Sequence, residues 1–155
     1  MAGARITLED RGFQRRVAAI KNGVANATPL MKIWGAIGKR SVEKNFEVEG
    51  RPTRWKALSP ATANRMKNKT RRRGFRRILF VTGHLKSITV KAESTRAILG
   101  SNPATKDYAA IHQFGGQAGR GRKVTIPRRS FLFLQPEDYT ELHDSAKKYL
   151  VKIGT

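Results

Sequence analysis

The apolar positions near the start of the chain recur at helical spacing. Phe13, Val17, Ile20 and Val24 are separated by four, three and four residues. Positions at these intervals lie on one face of an α-helix, because the helix completes a turn about every 3.6 residues. The pattern therefore predicts an amphipathic helix from about residue 9 to residue 27.

A second helix is predicted to run from Thr28 to about Phe46. Thr28 fits a helix cap, and Pro29 fits the first turn, where its missing N–H leaves no helical hydrogen bond unmade. Gly35 and Gly38 either weaken this helix or mark close packing against a neighbour. The apolar residues expected on its buried face are Leu30, Ile33, Trp34, Ile37 and Phe46.

A polar stretch follows from residue 47 to residue 77. Within it, Ser59 and Pro60 predict a short helix, as its cap and its first residue. The stretch ends in a basic run, residues 65–77, with eight basic residues among thirteen. A run with so little counter-charge is typical of a solvated loop that becomes ordered on a partner.

The second half of the chain has the patterns of strands. Residues 85–92 alternate apolar and polar side chains, and residues 95–101 follow after a short polar turn, which predicts a hairpin. Residues 107–115 fit either a strand or a short helix. Residues 123–127 and 131–135 are predicted to form a further pair of strands, on either side of the sequence "RRS".

The chain closes with a predicted helix that begins at Pro136. Two acids follow the proline and lysines come late, which suits the helix dipole. Its apolar residues at helical spacing are Leu142, Ala146, Tyr149, Leu150 and Ile153. The expected fold class is α+β: N-terminal helices, an antiparallel β-sheet and a C-terminal helix, with long basic loops. We expect a single domain over residues 1–155, with a basic loop at about residues 47–77.

The charge of the chain narrows the class of partner. The 155 residues include 32 Lys and Arg but 11 Asp and Glu, which gives a formal net charge of +21 and a pI near 11.4. Such a field attracts polyanions, so nucleic acid is the first candidate, with an acidic protein surface or an anionic membrane as alternatives. If about six cations of the basic run met phosphates, the affinity would fall with a log–log salt slope of roughly −5.

Several classes of function are excluded or disfavoured. The chain has no cysteine, which excludes disulfides, thiolate metal sites and thiol catalysis. No apolar run approaches the roughly 18 residues of a membrane span, and the first residues lack the apolar core of a signal peptide, so we expect a soluble protein. The scattered acids argue against a nuclease that holds metal ions with clustered carboxylates. The histidines lie far apart and lack metal-ligand spacing: His84, His112 and His143. No catalytic residue, cofactor or metal site is predicted.

The segment "YAAIHQFGG", residues 108–116, favours a structural turn over a reactive site. We expect His112 to be a partly buried ring whose nitrogen bonds a nearby backbone carbonyl. The overlapping "GGQAGRGR" resembles a phosphate-binding loop only superficially. It lacks the Lys-Ser/Thr ending of a Walker loop and the glycine spacing of a dinucleotide-binding loop. Gly115 and Gly116 are instead expected to take positive φ in a flexible loop between two strands.

Four short segments occur in order along the middle of the chain: "RWKALSPAT" (54–62), "ILFVTGHLKSI" (78–88), "YAAIHQFGG" (108–116) and "IPRRSFLFL" (126–134). Together they resemble the phage virion morphogenesis family, the tail-completion or neck proteins of Mu-like and related tailed phages. One departure is Ser130, which stands where the family usually has a second proline before the phenylalanine. The motif positions, to which the resemblance assigns structural roles, are Trp55, Thr82, Gly83, Tyr108, His112, Gln113, Phe114, Gly115, Gly116, Pro127, Arg129 and Phe131.

The resemblance implies a non-enzymatic structural protein of the phage neck. The resemblance implies α+β subunits that assemble into a ring around the channel through which the genome passes. Six copies are expected in the ring. The implied partners are other copies of the chain, neighbouring neck and tail proteins such as the connector or stopper and the tail tube, and the phage double-stranded DNA, with no membrane. The protein is expected at the head–tail junction of the virion, after assembly in the host bacterial cytoplasm.

Two segments, residues 65–77 and 117–123, are expected to make the contacts with partners or DNA. The basic residues in them are Arg65, Lys67, Lys69, Arg71, Arg72, Arg73, Arg76, Arg77, Arg120, Arg122 and Lys123. The alternative function is a sequence-independent nucleic-acid-binding protein for packaging, which would coat free DNA without forming a ring.

Overall fold

A computed structural model describes residues 10–64, 77–80 and 83–154 of the chain. Its four long helices are α1 (Arg11–Ala25), α2 (Thr28–Glu47), α3 (Lys106–Phe114) and α4 (Pro136–Gly154). Two antiparallel pairs of strands are β1 (Ile88–Ala92) with β2 (Ala97–Ser101), and β3 (Gly116–Ala118) with β4 (Val124–Ile126). The α+β class is therefore confirmed, and the described strands form two small sheets.

Most of the predicted elements are present. The hairpin is confirmed as β1 and β2, although residues 84–86 form a 3₁₀ turn before the first strand begins. The ambiguous segment 107–115 is helical, as α3. Residues 60–64 are helical, and the Ser59 hydroxyl caps them by accepting a hydrogen bond from the Thr62 amide at 3.3 Å.

The prediction of a strand at residues 131–135 was wrong. Strand β4 pairs with β3, in a register that sets Gly116 opposite Ile126 and Ala118 opposite Val124. Residues 127–135 have no regular secondary structure. Gly115 and Gly116 also do not lie between two strands, since Gly115 follows α3 and Gly116 is the first residue of β3.

Helix α2 packs closely on the first hairpin through two glycines. A Cβ on Gly35 would lie 2.3 Å from Val90 Cγ1, and a Cβ on Gly38 would lie 2.8 Å from Leu99 Cδ2. Both distances are shorter than real carbon contacts, so only glycine lets the helix approach the strands this closely. Close packing is therefore the reason for the glycines in this helix.

The main core lies between α2, the first hairpin, α3 and the irregular segment 127–135. Its buried residues are Val42, Phe46, Trp55, Leu85, Ile88, Ala109 and Phe131. A second cluster at the start of α2 contains Ala27, Leu30 and Met31. The prediction that Ile33 is buried was wrong, because 46% of this residue is exposed. Trp34 is half-buried and donates its Nε1–H to Ser145 Oγ of α4 at 3.1 Å.

Helix α4 is fixed to α2 at its first turn. The buried carboxylate of Asp138 accepts a hydrogen bond from the Gln135 amide at 2.7 Å and another from the Ser41 hydroxyl of α2. Arg51 donates to the Ser41 carbonyl at 3.0 Å and pairs with Glu137 at 2.9 Å. The bond from Gln135 gives a backbone N–H at the helix end a partner, and the contacts of Ser41 and Arg51 join the two helices.

Helix α1 lies antiparallel to the end of α4. A Cβ on Gly23 would lie 2.5 Å from Ile153 Cδ1, and Ile20 approaches Gly154, the last described residue. The Tyr149 hydroxyl donates to the Gly23 carbonyl at 3.0 Å. Residues 11–19 therefore extend past Gly154 by roughly 13 Å, at 1.5 Å per helical residue.

The apolar stripe of α1 is exposed along its whole length. Phe13 is 65% exposed, and the other three residues of the stripe, Val17, Ile20 and Val24, are between 37% and 51% exposed. The periodicity thus identified the helix, but the described part of the chain covers its apolar face only in part, where Ile20 approaches Gly154. None of the described helices combines the length and the apolar character needed to cross a membrane.

Candidate functional site

The site is centred on Gln113, near the end of α3. Its side-chain oxygen accepts hydrogen bonds from the backbone amides of Phe131 and Leu132, both at 3.0 Å. Its side-chain nitrogen donates to the Leu132 carbonyl at 3.2 Å. One amide side chain thus gives the segment the partners that a neighbouring strand would otherwise provide.

The glycine after α3 lets the same segment approach the helix end. Gly115 has φ 78°, and a Cβ at this position would lie 3.0 Å from the Arg128 nitrogen. Gly116 has φ 149°, so the expected positive φ at both glycines is confirmed. The Arg129 amide donates to the His112 carbonyl at 2.8 Å across this close approach. A side chain at Gly115 would force the two segments apart.

Arg129 is buried although it carries a charge. Only 4% of the residue is exposed, and its guanidinium donates to the Lys56 carbonyl at 2.9 Å and to the Ala57 carbonyl at 3.1 Å. Burial lowers the pKa of Arg129. The side chain therefore acts as a rigid link between segment 127–135 and the loop that follows α2.

Trp55 and Asn45 complete the arrangement from the other side. The Trp55 indole donates to the Ser130 carbonyl at 3.0 Å, and its ring contacts Phe46 edge-on, with centroids 5.4 Å apart. The fully buried Asn45 donates to the carbonyls of Phe131 and Phe133 at 3.0 and 2.9 Å. We call this set the clasp, and its members are Asn45, Trp55, Gln113, Gly115, Arg129 and Phe131.

His112 lines an open cavity of about 610 Å³ beside the clasp. The expected hydrogen bond from its ring to a carbonyl is not formed at Nδ1, which is buried and has no partner among the described residues. Instead, its backbone carbonyl accepts the bond from Arg129. Burial lowers the pKa of the His112 imidazole, and the nearby Arg129 charge lowers it further. No group of three metal-ligating side chains occurs in the described ranges.

A basic cleft lies beside Trp55. Its volume is about 300 Å³, and the cations that line it are Arg51, Arg54, Lys56 and Arg128. Arg51 is occupied by Glu137, whereas Arg54 and Lys56 form no ion pair within the described residues. Arg128 donates through Nε to Ser130 Oγ at 2.7 Å. The cleft therefore presents positive charge on a fixed backbone.

The predicted motif positions do not all belong to the clasp. Tyr108 is 39% exposed and its ring meets His112 edge-on, while Phe114 is 73% exposed. Pro127 is half-buried and lines the His112 cavity. Gly83 has φ 78° and precedes the 3₁₀ turn His84–Lys86. Thr82 lies outside the described residues.

Most of the predicted contact cations also lie outside the described residues: Arg65, Lys67, Lys69, Arg71, Arg72, Arg73 and Arg76. Arg77 is exposed and forms a backbone bridge with Phe80. Arg120 and Lys123 are exposed at the turn between β3 and β4, which also contains Arg122. Among the described residues that line the basic cleft, none is a predicted contact residue.

Sequence reasoning missed Asn45 and the cleft cations. The available signal for the cleft was a local alternation, in which Trp55 is flanked by Arg54 and Lys56, and Arg129 is preceded by Arg128. In an extended segment the middle residue points to one side and its neighbours to the other. A buried Trp55 therefore turns both flanking cations outward.

The helices, the two hairpins and the clasp define an α+β protein, and comparison with known proteins gives its family. The chain belongs to the phage virion morphogenesis family, whose model matches residues 8–151. It is similar to the Mu-like prophage FluMu G protein 2 of Haemophilus influenzae (strain ATCC 51907 / DSM 11121 / KW20 / Rd), with 35% identity over 147 residues. That match covers 93% of this chain and 95% of the relative. No solved structure matches the chain.

Proposed function

We propose that this chain is a structural neck protein that completes the tail and forms a ring around the DNA channel at the head–tail junction. The observation that carries the proposal is the family match over residues 8–151, which includes the whole clasp. Virion morphogenesis is the role of that family. The proposal adds the place in the virion and the form of the assembly, with six copies as the expected number.

The architecture of the site supports a structural role without catalysis. The polar side chains of the clasp bond to backbone groups of the chain itself, as Gln113 and Arg129 do. Such bonds fix a fold and leave no activated nucleophile or acid–base pair. A rigid subunit with exposed basic and apolar surfaces is suited to assembly.

The charge supports a partner that neutralises it. A ring of subunits that each carry a formal charge of +21 repels itself unless a polyanion or acidic neighbours offset the field. DNA inside the ring provides that counter-charge. The phage genome is therefore the partner that the composition fits best.

The exposed stripe of α1 supports contact with a neighbouring copy. Its flanking cations are Arg11, Arg15, Arg16 and Lys21, and the helix contains no acid. The first half of α4 contains the exposed acids Glu137, Glu141 and Asp144, each of which also pairs with a cation of its own chain, beside Tyr139, which is 61% exposed. These acids are roughly 15–26 Å along α4 from the end that α1 contacts. The stripe of α1 therefore cannot reach the acids of α4 within one chain. A head-to-tail contact between two copies can bring these surfaces together, and contacts of this kind can close into a ring.

The experiment that tests the function uses a phage with a stop codon early in this gene. We expect lysates that contain DNA-filled heads and separate tails, with few joined particles, as seen by electron microscopy. Purified protein added to the lysate should restore joined, infectious particles. Normal yields of joined particles without the protein would contradict the proposal.

The second candidate function is a sequence-independent nucleic-acid-binding protein for packaging. The observation that favours it is the charge of +21, which suffices for tight, salt-sensitive binding to any duplex. In that case the heads in the mutant lysate would not be filled with DNA, whereas a neck defect leaves filled heads that are not joined to tails. The same micrographs therefore separate the two candidates.

A further inference from the structure

The basic cleft beside Trp55 is formed by two segments in which buried and exposed residues alternate. Two extended segments, residues 54–56 and 128–130, lie side by side with their middle residues buried: Trp55 is 8% exposed and Arg129 is 4% exposed. The flanking cations Arg54, Lys56 and Arg128 are exposed. Alternation along both segments therefore collects three cations at one opening.

The clasp holds these two segments at a fixed distance. Trp55 donates to the Ser130 carbonyl at 3.0 Å, and Arg129 donates to the Lys56 carbonyl at 2.9 Å. The carbonyls of Lys56 and Ser130 are thus each bonded to a side chain of the opposite segment. Long side chains on a fixed backbone lose less freedom when they bind than the same side chains on a free loop.

The described lining of the cleft has an excess of positive charge. Among the residues that the structure describes, the lining contains four cations and no acid, and Arg51 alone of these cations has a carboxylate partner, Glu137. The lining also includes Thr53, which carries a hydroxyl group, whereas the Ser130 hydroxyl already donates to the Gln113 carbonyl at 3.3 Å. Arginine, lysine and hydroxyl side chains are the groups that proteins use to bind phosphate oxygens.

We propose that this cleft binds the backbone phosphates of duplex DNA, through Arg54, Lys56 and Arg128. The inference rests on the proposed function and names the surface that meets the genome. The four cations of the cleft favour DNA over an acidic protein, although the lining also contains the apolar residues Pro52, Trp55 and Phe133. The cores of protein–protein interfaces are depleted of charge and rich in apolar anchors, whereas protein–DNA interfaces are polar and strongly positive. The binding is independent of sequence, because phosphate contacts carry no base information.

The test compares two variants that lose the same charge. The cleft variant is Arg54→Gln, Lys56→Gln, Arg128→Gln, and the control is Lys147→Gln, Lys148→Gln, Lys152→Gln on the exposed face of α4. Binding to a fluorescent duplex of random sequence is followed by anisotropy over a series of salt concentrations. The cleft variant should reduce the log–log salt slope by about 2–3, since each phosphate contact contributes about 0.9. The control should reduce it by less than about 1.

A second readout uses the unmodified protein. Acetylation of Lys56 and Lys148 by a small reagent is measured by mass spectrometry with and without the duplex. DNA should protect Lys56 several-fold more than Lys148. Equal protection, or equal salt slopes for the two variants, would overturn the proposal, because DNA would then sense only the net charge. Loss of binding to polyglutamate but not to DNA in the cleft variant would overturn it in favour of an acidic protein partner.

These outcomes are separate from the fate of the neck proposal. Ring formation is measured without DNA at about 0.5 M salt, where exposed charges are largely screened. If the protein forms a ring but the cleft variant binds DNA like the control, only the proposal of a DNA-binding cleft is rejected. A chain that never forms a ring but loses DNA binding in the cleft variant would reject only the neck function.

Discussion

Gln113 accepts the backbone N–H of Phe131 at 3.0 Å, and this bond joins two of the family's sequence motifs across 18 residues of chain. Phe131 is fully buried against Phe46, with ring centroids 5.3 Å apart. A side-chain amide therefore fixes the position of a core aromatic residue. The conformation of segment 127–135 depends on this bond because the segment has no strand partner.

Replacing Gln113 with alanine should destabilise the fold. Gln113→Ala leaves the amides of Phe131 and Leu132 without their acceptor, and we expect the free energy of unfolding to fall by about 2–3 kcal/mol. Urea unfolding at about 0.5 M salt, followed by tryptophan fluorescence, measures the change. The control Gln14→Ala, on the exposed face of α1, should alter stability by less than about 0.5 kcal/mol. Equal stability of the two variants would show that the clasp contributes nothing.

A methyl group at Gly35 should separate α2 from the first hairpin. In Gly35→Ala the new Cβ would meet Val90 Cγ1 at 2.3 Å, and overpacking of this kind costs about 1–3 kcal/mol, partly offset by about 1 kcal/mol of helix propensity. The double variant with Val90→Ala removes the contacted methyl and should lose less than the sum of the single changes. Thermal unfolding of the four proteins of this cycle measures the coupling. Strictly additive losses would contradict the packing described.

Protonation of His112 should destabilise the folded protein. Burial and Arg129 lower its pKa in the folded state, so below about pH 6.5 the unfolded chain binds a proton that the folded chain does not. Stability therefore falls as the pH decreases through that range, until the lowered folded pKa is reached. His112→Gln should show a smaller loss of unfolding free energy between pH 7.5 and pH 5.5. Identical pH dependence of the two proteins would mean that His112 is not responsible.

A charge on the exposed stripe of α1 should prevent assembly without affecting the fold. Val17→Glu places a carboxylate on the proposed contact surface, and its unfolding midpoint should stay unchanged because 47% of Val17 is already exposed. Ala18→Glu adds the same charge on another face of the helix and is the matched control. Sedimentation should find Val17→Glu largely monomeric and Ala18→Glu assembled like the wild type. Normal assembly of both variants would remove α1 from the interface.

The helices could be predicted from local pattern because their apolar residues follow a period that a single segment defines. For residues 131–135, local pattern gave the wrong prediction. Its apolar run has the composition of a strand, but its backbone groups bond to the side chains of Gln113 and Asn45. Those partners lie 18 and 86 residues away, and no local pattern contains them. The same limit applies to α1, whose periodicity defines an apolar face but not the molecule that covers it.

The candidate site was predictable in part for a similar reason. The motifs contain Gln113, Gly115 and Arg129, but their roles follow from contacts with backbone groups distant in sequence. The density of charge along the sequence favoured residues 65–77 over Arg54 and Lys56 as contact residues. Charge density does not show which cations are carried by a fixed backbone. The fixed backbone on which these two cations stand is a tertiary property.

The native mass of the nuclease-treated protein, in about 0.5 M salt and over a hundredfold range of concentration, tests the central claim most directly. At this salt concentration exposed charges are largely screened, and the nuclease has removed bound DNA. Neither charge repulsion nor DNA therefore determines the measured mass. The account predicts one defined oligomer larger than a dimer, visible as a closed ring by electron microscopy. A monomer at every concentration, which assembles only along added DNA, would contradict the ring and favour a packaging protein.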